Sequence, residues 1–469
     1  MICFRHCPKA HLLPFVSSTT FFRRCFSQEP FHQLIGKEPK WTTAEEAVSV
    51  IRSGHKVFVH GTVCTPFALL RALVKHGKQA NLRDVELLHL HLEGEAEWTN
   101  PEYNGILRSN NMFIGSNCRT AVNEGRGDFM PIFLSDIPLL FRRNIIKLDV
   151  ALIQVTPPDK HGFCSLGGAV DCTRSALQNA TYIIGLVNPN MPRTFGDGFI
   201  HQSHFDALVE TSDPLPQIAP SKPSDVEVTI GEIIAANLVE DGATLQMGIG
   251  NIPDQVLSCL WSHKDLGVHS EMFSDGLVEL VEKGAVTNAQ KQVHTGKIVG
   301  GFCLGTKRLY DFIDNNPQLV MLDIAFVNNP AVICKNPKVT AINSCIEVDI
   351  TGQVVSDSIG KRFFSGVGGQ IDFLRGAALS SDGLGKPILA MPSTTKNGKS
   401  KIVPFIQEGA GVVTTRAHVH YICTEYGLCN LFGKNVRQRA YELIKIAHPD
   451  HRDSLEREAF DRLGCMPSP

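Results

Sequence analysis

Residues 54–74 read GHKVFVHGTVCTPFALLRALV, and residues 242–260 read GATLQMGIGNIPDQVLSCL. Each opens on an apolar run of strand length, breaks at a glycine, and places a proline five residues on before a helix-like stretch; Gly61 and Pro66 correspond to Gly248 and Pro253. Strand, tight turn and helix in that order make the opening of a βαβ unit. A second echo follows in the same order. Leu148-Asp149-Val150-Ala151-Leu152-Ile153 matches Leu322-Asp323-Ile324-Ala325-Phe326-Val327. Two echoes in register predict two similar open α/β domains with mostly parallel sheets.

Between the two copies, residues 212–225 (SDPLPQIAPSKPSD) hold four prolines and little apolar periodicity. Such a semi-extended stretch suits a domain boundary. The expected domains are 30–215 and 222–469, with a small-molecule site in the cleft between them. The stretch from Val436 to Leu463 is charged and helix-periodic, interrupted by the turn signal His448-Pro449, and reads as packing or oligomer helix.

A chain of 469 residues is long enough for two cores. Its content, 43% hydrophobic and 20% charged, is that of a globular enzyme. A formal net charge of -2 argues against nucleic acid as the main partner. No apolar run has the length of a membrane span. The 14 cysteines are scattered without a CxxC pair, so neither a disulfide framework nor a zinc site is expected. Residues 1–28 contain Arg5, Lys9, Arg23 and Arg24 but no acid, with hydroxyls at Ser17, Ser18, Thr19 and Thr20. That is the composition of a mitochondrial transit peptide, expected to be cut after Phe26, with the mature chain in the matrix.

Four blocks could carry chemistry. Gly248-Ile249-Gly250-Asn251-Ile252-Pro253 follows an apolar run, so backbone and helix N–H groups could receive an anion; a plain tight turn is the alternative. His269-Ser270-Glu271-Met272 ends a strand-like stretch before a helix expected from Leu277 to Lys283. A carboxylate there is either a helix-start charge or a nucleophile held where α/β enzymes place their chemistry. Ser365-Gly366-Val367-Gly368-Gly369-Gln370-Ile371-Asp372-Phe373 offers backbone donors for an oxyanion, or is a flexible turn. Residues 393–401, STTKNGKSK, would suit a phosphate-rich tail, or form a solvated hairpin. His89, His91, Glu93 and Glu95 alternate and would share one strand face; polar lining of a cleft is expected there, and no metal.

Taken in order, GIGNIP, HSEMFSDG, NNP, INSCIEVDITGQ, GVGGQIDF, STTKNGKSKIVP, TEYG and RAYELIKIAHPDHR resemble the acetyl-CoA hydrolase/transferase family, the class I CoA-transferases of acetate and 4-hydroxybutyrate type. The resemblance covers nearly the whole chain after residue 26. It implies the CoA-transferase (NagB/RpiA-like) fold and a catalytic glutamate at Glu271 that forms a glutamyl-CoA thioester. It implies coenzyme A contacts at Gly248, Ile249, Gly250, Asn251, Ile252, Ile346, Ser365, Gly369 and Lys396. It also implies help from Asn328 and Gly369 in polarising the thioester or receiving the incoming carboxylate. The expected partners are acyl-CoA and small carboxylates, with coenzyme A as substrate and no prosthetic group, in a homodimer. Acetyl-CoA with succinate is the expected pair, with 4-hydroxybutyrate or butyrate as the other acceptors. An acetyl-CoA hydrolase and a non-catalytic CoA-binding protein are the alternatives.

Overall fold

Both copies of the first echo fold as strand, turn and helix. Strand Lys56–Val59 leads to helix Phe67–Gln79, and strand Thr244–Met247 leads to helix Asn251–Ser258. The computed structural model describes residues 29–218, 222–248 and 250–469. The transit-peptide reading of 1–26 and the Ile249 contact lie outside the described residues.

The second echo does not hold. Leu148–Ile153 runs into strand Val150–Val155, buried at all six positions. Leu322–Val327 turns instead into helix Ile324–Val327. The aspartates mark the difference. Asp149 accepts the backbone N–H of Lys56, on the neighbouring strand, at 2.8 Å, whereas Asp323 accepts that of Ala325 at 2.9 Å and caps a helix.

The first sheet has eight strands, all parallel. Their spatial order is Lys40–Trp41, Ala207–Glu210, Tyr182–Val187, Val150–Val155, Lys56–Val59, Val85–His89, Leu107–Asn111 and Asp128–Phe129. Both faces are covered, which is why its central strands read as nearly unbroken apolar runs. The second sheet is mixed. Its centre is four parallel strands, Thr244–Met247, Thr340–Ser344, Lys386–Ala390 and Tyr421–Thr424. Short strand Gly267–Val268 pairs parallel to the first of these, and Met272–Phe273 pairs antiparallel to it. This α/β arrangement is the expected fold class.

Alternation along the first sheet splits its side chains between two cores. Val57, Val59, Leu87 and Leu152 pack with helix Phe67–Gln79 on the outer face. Phe58, Leu88, Ala151 and Ile153 point the other way, into a core that continues through Met247 and Phe273 to Leu443. The apolar interior therefore runs unbroken from one sheet to the other. Backbone bridges Ala169–Phe302, Gly196–Met321 and Phe133–Gly368 reinforce the seam.

The proline-rich connector leaves the first sheet and lies on the second half. The Tyr310 hydroxyl donates to Pro216 O at 2.7 Å, and the Ile218 N–H donates to Gly305 O at 3.0 Å. The C-terminal stretch forms helices Val436–Lys445 and Pro449–Leu463, separated at His448 as its turn signal indicates. Among the described residues no helix is long and apolar enough to cross a membrane.

Candidate active site

Glu271 sits in a bend between strands Gly267–Val268 and Met272–Phe273, and the following helix starts at Asp275, two residues ahead of the expected Leu277. Each neighbour in the HSEM block has a positional task. His269 is buried; its Nε2 bonds Val327 O at 2.8 Å, which ties this bend to the helix that presents Asn328. A carbonyl partner requires Nε2 to carry the proton, and burial pushes this imidazole down to about 3, so it is a neutral strut. The Ser270 hydroxyl donates to Met272 O at 2.6 Å and accepts the N–H of Met247 at 3.1 Å, stapling the bend to the glycine-loop strand. The Glu271 carbonyl accepts the N–H groups of Gly301 (2.9 Å) and Phe302 (3.1 Å). The backbone under the carboxylate is therefore held from three sides.

The carboxylate itself accepts the Asn328 amide at 2.8 Å and the backbone N–H of Gly369. A β-carbon at 369 would land on Glu271 Oε2 and Asn328 Nδ2, so the position is a glycine because the carboxylate occupies the space. Burial, with repulsion from Asp372 and Asp171, pushes the Glu271 carboxyl up to about 7 against the opposing pull of those two donors. Stripped of most of its water and short of positive charge, it is a reactive oxygen nucleophile once ionised.

The arrangement has a stability cost. The folded-state value of about 7 lies above the ordinary 4.5. The contribution of this group is fully present below about pH 4.5 and is lost as pH rises through about 7. Glu271→Gln is expected to stabilise the protein by about 1–3 kcal/mol at about pH 8, with the gain vanishing below about pH 4.5. Thermal melts at the two pH values check this, and an equal change at both would contradict it.

Glu271 opens onto a cavity of about 470 Å³ lined from both halves. Of the residues expected to meet coenzyme A, Gly248, Ile346, Ser365 and Gly369 line it. Asn328 stands behind Glu271. Gly250, Asn251 and Ile252 belong to the turn and helix beyond the cavity wall, and Gly250 takes φ +122, a conformation glycine alone adopts freely. Lys396 is exposed on its hairpin outside the cavity, near Glu227, whose carboxylate accepts the Asn251 amide at 3.1 Å. The hairpin is tied to the TEYG block through Ser393, whose hydroxyl and N–H both donate to Glu425, at 2.6 and 2.8 Å. A second hollow of about 440 Å³, at the connector beside Tyr310 and Pro214, holds none of these groups.

The N-terminal half supplies residues that the sequence reading did not single out. Arg119, the one cation among the described lining residues, donates from Nε to Phe364 O at 2.7 Å and lies over the Phe364 ring. Asn123 exchanges two hydrogen bonds with the backbone of Phe363, and the Leu134 N–H donates to Gly368 O at 3.0 Å. The loop from Phe363 to Gly369 is thus clamped at both ends by the other half. Asp372, inside the quoted glycine block, is buried and receives the Ser135 hydroxyl at 3.0 Å.

The alternating acids and imidazoles behave differently from one another. The strand ends at His89, so the shared face does not form. His89 is fully buried and bonds Leu90 O and Ser109 Oγ, each at 2.6 Å, so it belongs to the core and lines no cleft. His91 lines the cavity with its ring parallel to Phe113, and Glu95 is exposed. Among the described residues no group of three His, Cys, Asp or Glu side chains could hold a metal.

Comparison with known proteins agrees with this layout. Residues 36–219 match the model of the acetyl-CoA hydrolase/transferase N-terminal domain, and residues 305–459 match that of the C-terminal domain. The chain belongs to the acetyl-CoA hydrolase/transferase family. A Fasciola hepatica relative named succinyl-CoA:acetate/propanoyl-CoA:succinate CoA transferase is 58% identical, over 94% of this chain and 92% of its own. A 4-hydroxybutyrate coenzyme A transferase of Clostridium kluyveri is 49% identical, over 90% of this chain and 98% of its own. Among solved structures, RipA from Yersinia pestis superposes with a TM-score of 0.84 at 34% identity, covering 90% of this chain and 97% of that one. The CoA-transferase expected from the motifs is what these two relatives are named.

Proposed function

We propose that this protein moves coenzyme A between short-chain carboxylic acids through a glutamyl-CoA thioester on Glu271. The observation that carries the reading is the Glu271 carboxylate, desolvated, aimed into the cavity and flanked by the Asn328 and Gly369 donors. A Glu271 oxygen attacks the acyl carbon of acyl-CoA. The C–S bond breaks, giving a glutamyl anhydride and CoA thiolate. The thiolate attacks the glutamyl carbonyl and releases the first acid as its carboxylate. A second carboxylate then runs the two steps backwards and leaves as the new acyl-CoA. Each addition places negative charge on a carbonyl oxygen, which the Gly369 N–H and the Asn328 amide are positioned to receive.

Acetyl-CoA and succinate are the proposed pair, giving acetate and succinyl-CoA, with 4-hydroxybutyrate or butyrate as alternative acceptors. The name of the Fasciola hepatica relative supports the first pair, and that of the Clostridium kluyveri relative the second. Arg119 suits an anionic partner in the cavity. Lys396, which lies outside the cavity, and the glycine loop are proposed to meet the cofactor's phosphate-bearing tail. The acid-free stretch at 1–26 supports a mitochondrial matrix location, and the homodimer stays part of the same proposal.

The test is the intact mass of the protein after acetyl-CoA. A CoA-sized adduct that disappears on adding succinate, with succinyl-CoA formed, is the expected result. Steady release of free CoA with no adduct and no need for an acceptor would establish hydrolysis instead. CoA binding without either would establish a non-catalytic protein.

A further inference from the structure

The Asn328 amide nitrogen lies between two carboxyl groups. It is 2.8 Å from Glu271 Oε2 and 3.4 Å from Asp372 Oδ2. Asn328 is fully buried, and its Oδ1 has no hydrogen-bond partner among the described residues. A free amide can turn over, and with Glu271 alone the turned form would lose one hydrogen bond. With Asp372 on the same side, turning would set the carbonyl oxygen against two carboxyl groups at once. Asp372 in turn receives the hydroxyl of Ser135, 237 residues away in the N-terminal half. The Asp372 carboxyl is therefore held from both halves, by Ser135 on one side and Asn328 on the other.

We propose that Asp372 is a positioning residue of the active site: it locks the Asn328 amide with its NH₂ toward Glu271. Its charge, on the far side of that amide, also acts on the Glu271 carboxyl. The inference rests on the glutamyl-thioester reading of Glu271. Asp372 does not line the cavity, so it acts through Asn328 and through its charge. Its own carboxyl is pushed up to about 7 by burial, so Glu271 and Asp372 disfavour simultaneous ionisation. The other groups facing the pair are few. Asp171 adds repulsion on Glu271 and Asp136 adds repulsion on Asp372, while Asn328, Gly369 and Ser135 contribute neutral donors. Asp323, close by on the Asn328 side, is paired with Arg142.

Two variants separate the two roles. Asp372→Asn keeps an acceptor for Asn328 but removes the charge. The acid limb of kcat/KM for acetyl-CoA with succinate is expected to move down by about one pH unit, with kcat changed only a few-fold at about pH 8. Asp372→Ala removes the acceptor, and kcat is expected to fall about tenfold or more while KM for acetyl-CoA stays put. Ser135→Ala withdraws support from the ionised Asp372 and is expected to move the acid limb in the same direction as Asp372→Asn; it serves if Asp372→Ala does not fold. Limbs that coincide with wild type in both Asp372→Asn and Ser135→Ala would overturn the proposal. So would a loss in Asp372→Ala that matches only a loss of folded protein. Intact-mass analysis of the wild type runs alongside. A wild type that turns over without an adduct overturns the glutamyl reading and this inference with it. A wild type that forms the adduct beside unmoved limbs overturns this inference alone.

Discussion

Glu271→Ala is expected to lower exchange between acetyl-CoA and succinate by about 10⁴-fold or more, the scale seen when a covalent nucleophile is removed. No neighbouring carboxylate can take over. Asp372 is separated from the cavity by the Asn328 amide, Asp171 is buried in the seam, and Glu93, on the N-terminal side, is near His91 instead. Binding of coenzyme A is expected to persist within a few-fold, because Gly248, Ile346 and Ser365, the proposed contacts in the cavity wall, are untouched. Glu271→Asp is the sharper variant. It keeps the charge but withdraws the carboxylate by one carbon from Asn328 and from the cavity, and misplacement on that scale costs about 10²-fold. Steady-state thioester exchange, with CoA binding measured by calorimetry, checks both. A Glu271→Ala enzyme within tenfold of wild type would remove Glu271 from the chemistry.

Gly369→Ala should be nearly as damaging, though it adds only a methyl group. The backbone at 369 has φ -104 and ψ 13, which alanine adopts without strain. The damage comes from what the methyl meets, Glu271 Oε2 and Asn328 Nδ2, with the carboxyl carbon at 3.1 Å. Neither can step aside cheaply. The Glu271 backbone is fixed by Gly301 and Phe302, and Asn328 is held at the end of a helix tied down by His269. The carboxylate is expected to swing off both donors, at about 10²–10³-fold in kcat, with a stability loss of about 1–3 kcal/mol from overpacking. Turnover and thermal melts measure the two effects separately. Unchanged kcat would show that Glu271 reacts from a different position.

The parts of the site that could be read along the chain are those whose signals are local. A strand that breaks at a glycine and restarts after a proline announces its turn within a dozen residues, so the glycine loop and its helix were expected where they stand. Glu271 stands out along the chain because HSEM and the blocks after it keep family order. Asp372 lies inside the glycine block, but nothing local marks it, because its partners Ser135 and Asn328 are brought to it by the tertiary fold. Arg119 was invisible for the same reason, its partner being Phe364. The false echo at Leu322–Val327 shows the limit of pattern matching. Nearly identical residues around Asp149 and Asp323 fold as strand and helix, according to which N–H each aspartate meets. His89 and His91 differ likewise: the strand ends between them, and one imidazole enters the core while the other reaches the cavity.

The interior shared by the two sheets bears on how such an enzyme can be inherited. Phe58 and Ile153 of the first half and Met247 and Phe273 of the second belong to one apolar body. A catalytic half made alone would present that inner face to water, an invitation to aggregate. Neither half is therefore a ready cassette for another protein, and new acyl preferences are expected to arise by substitution around the cavity that both halves line.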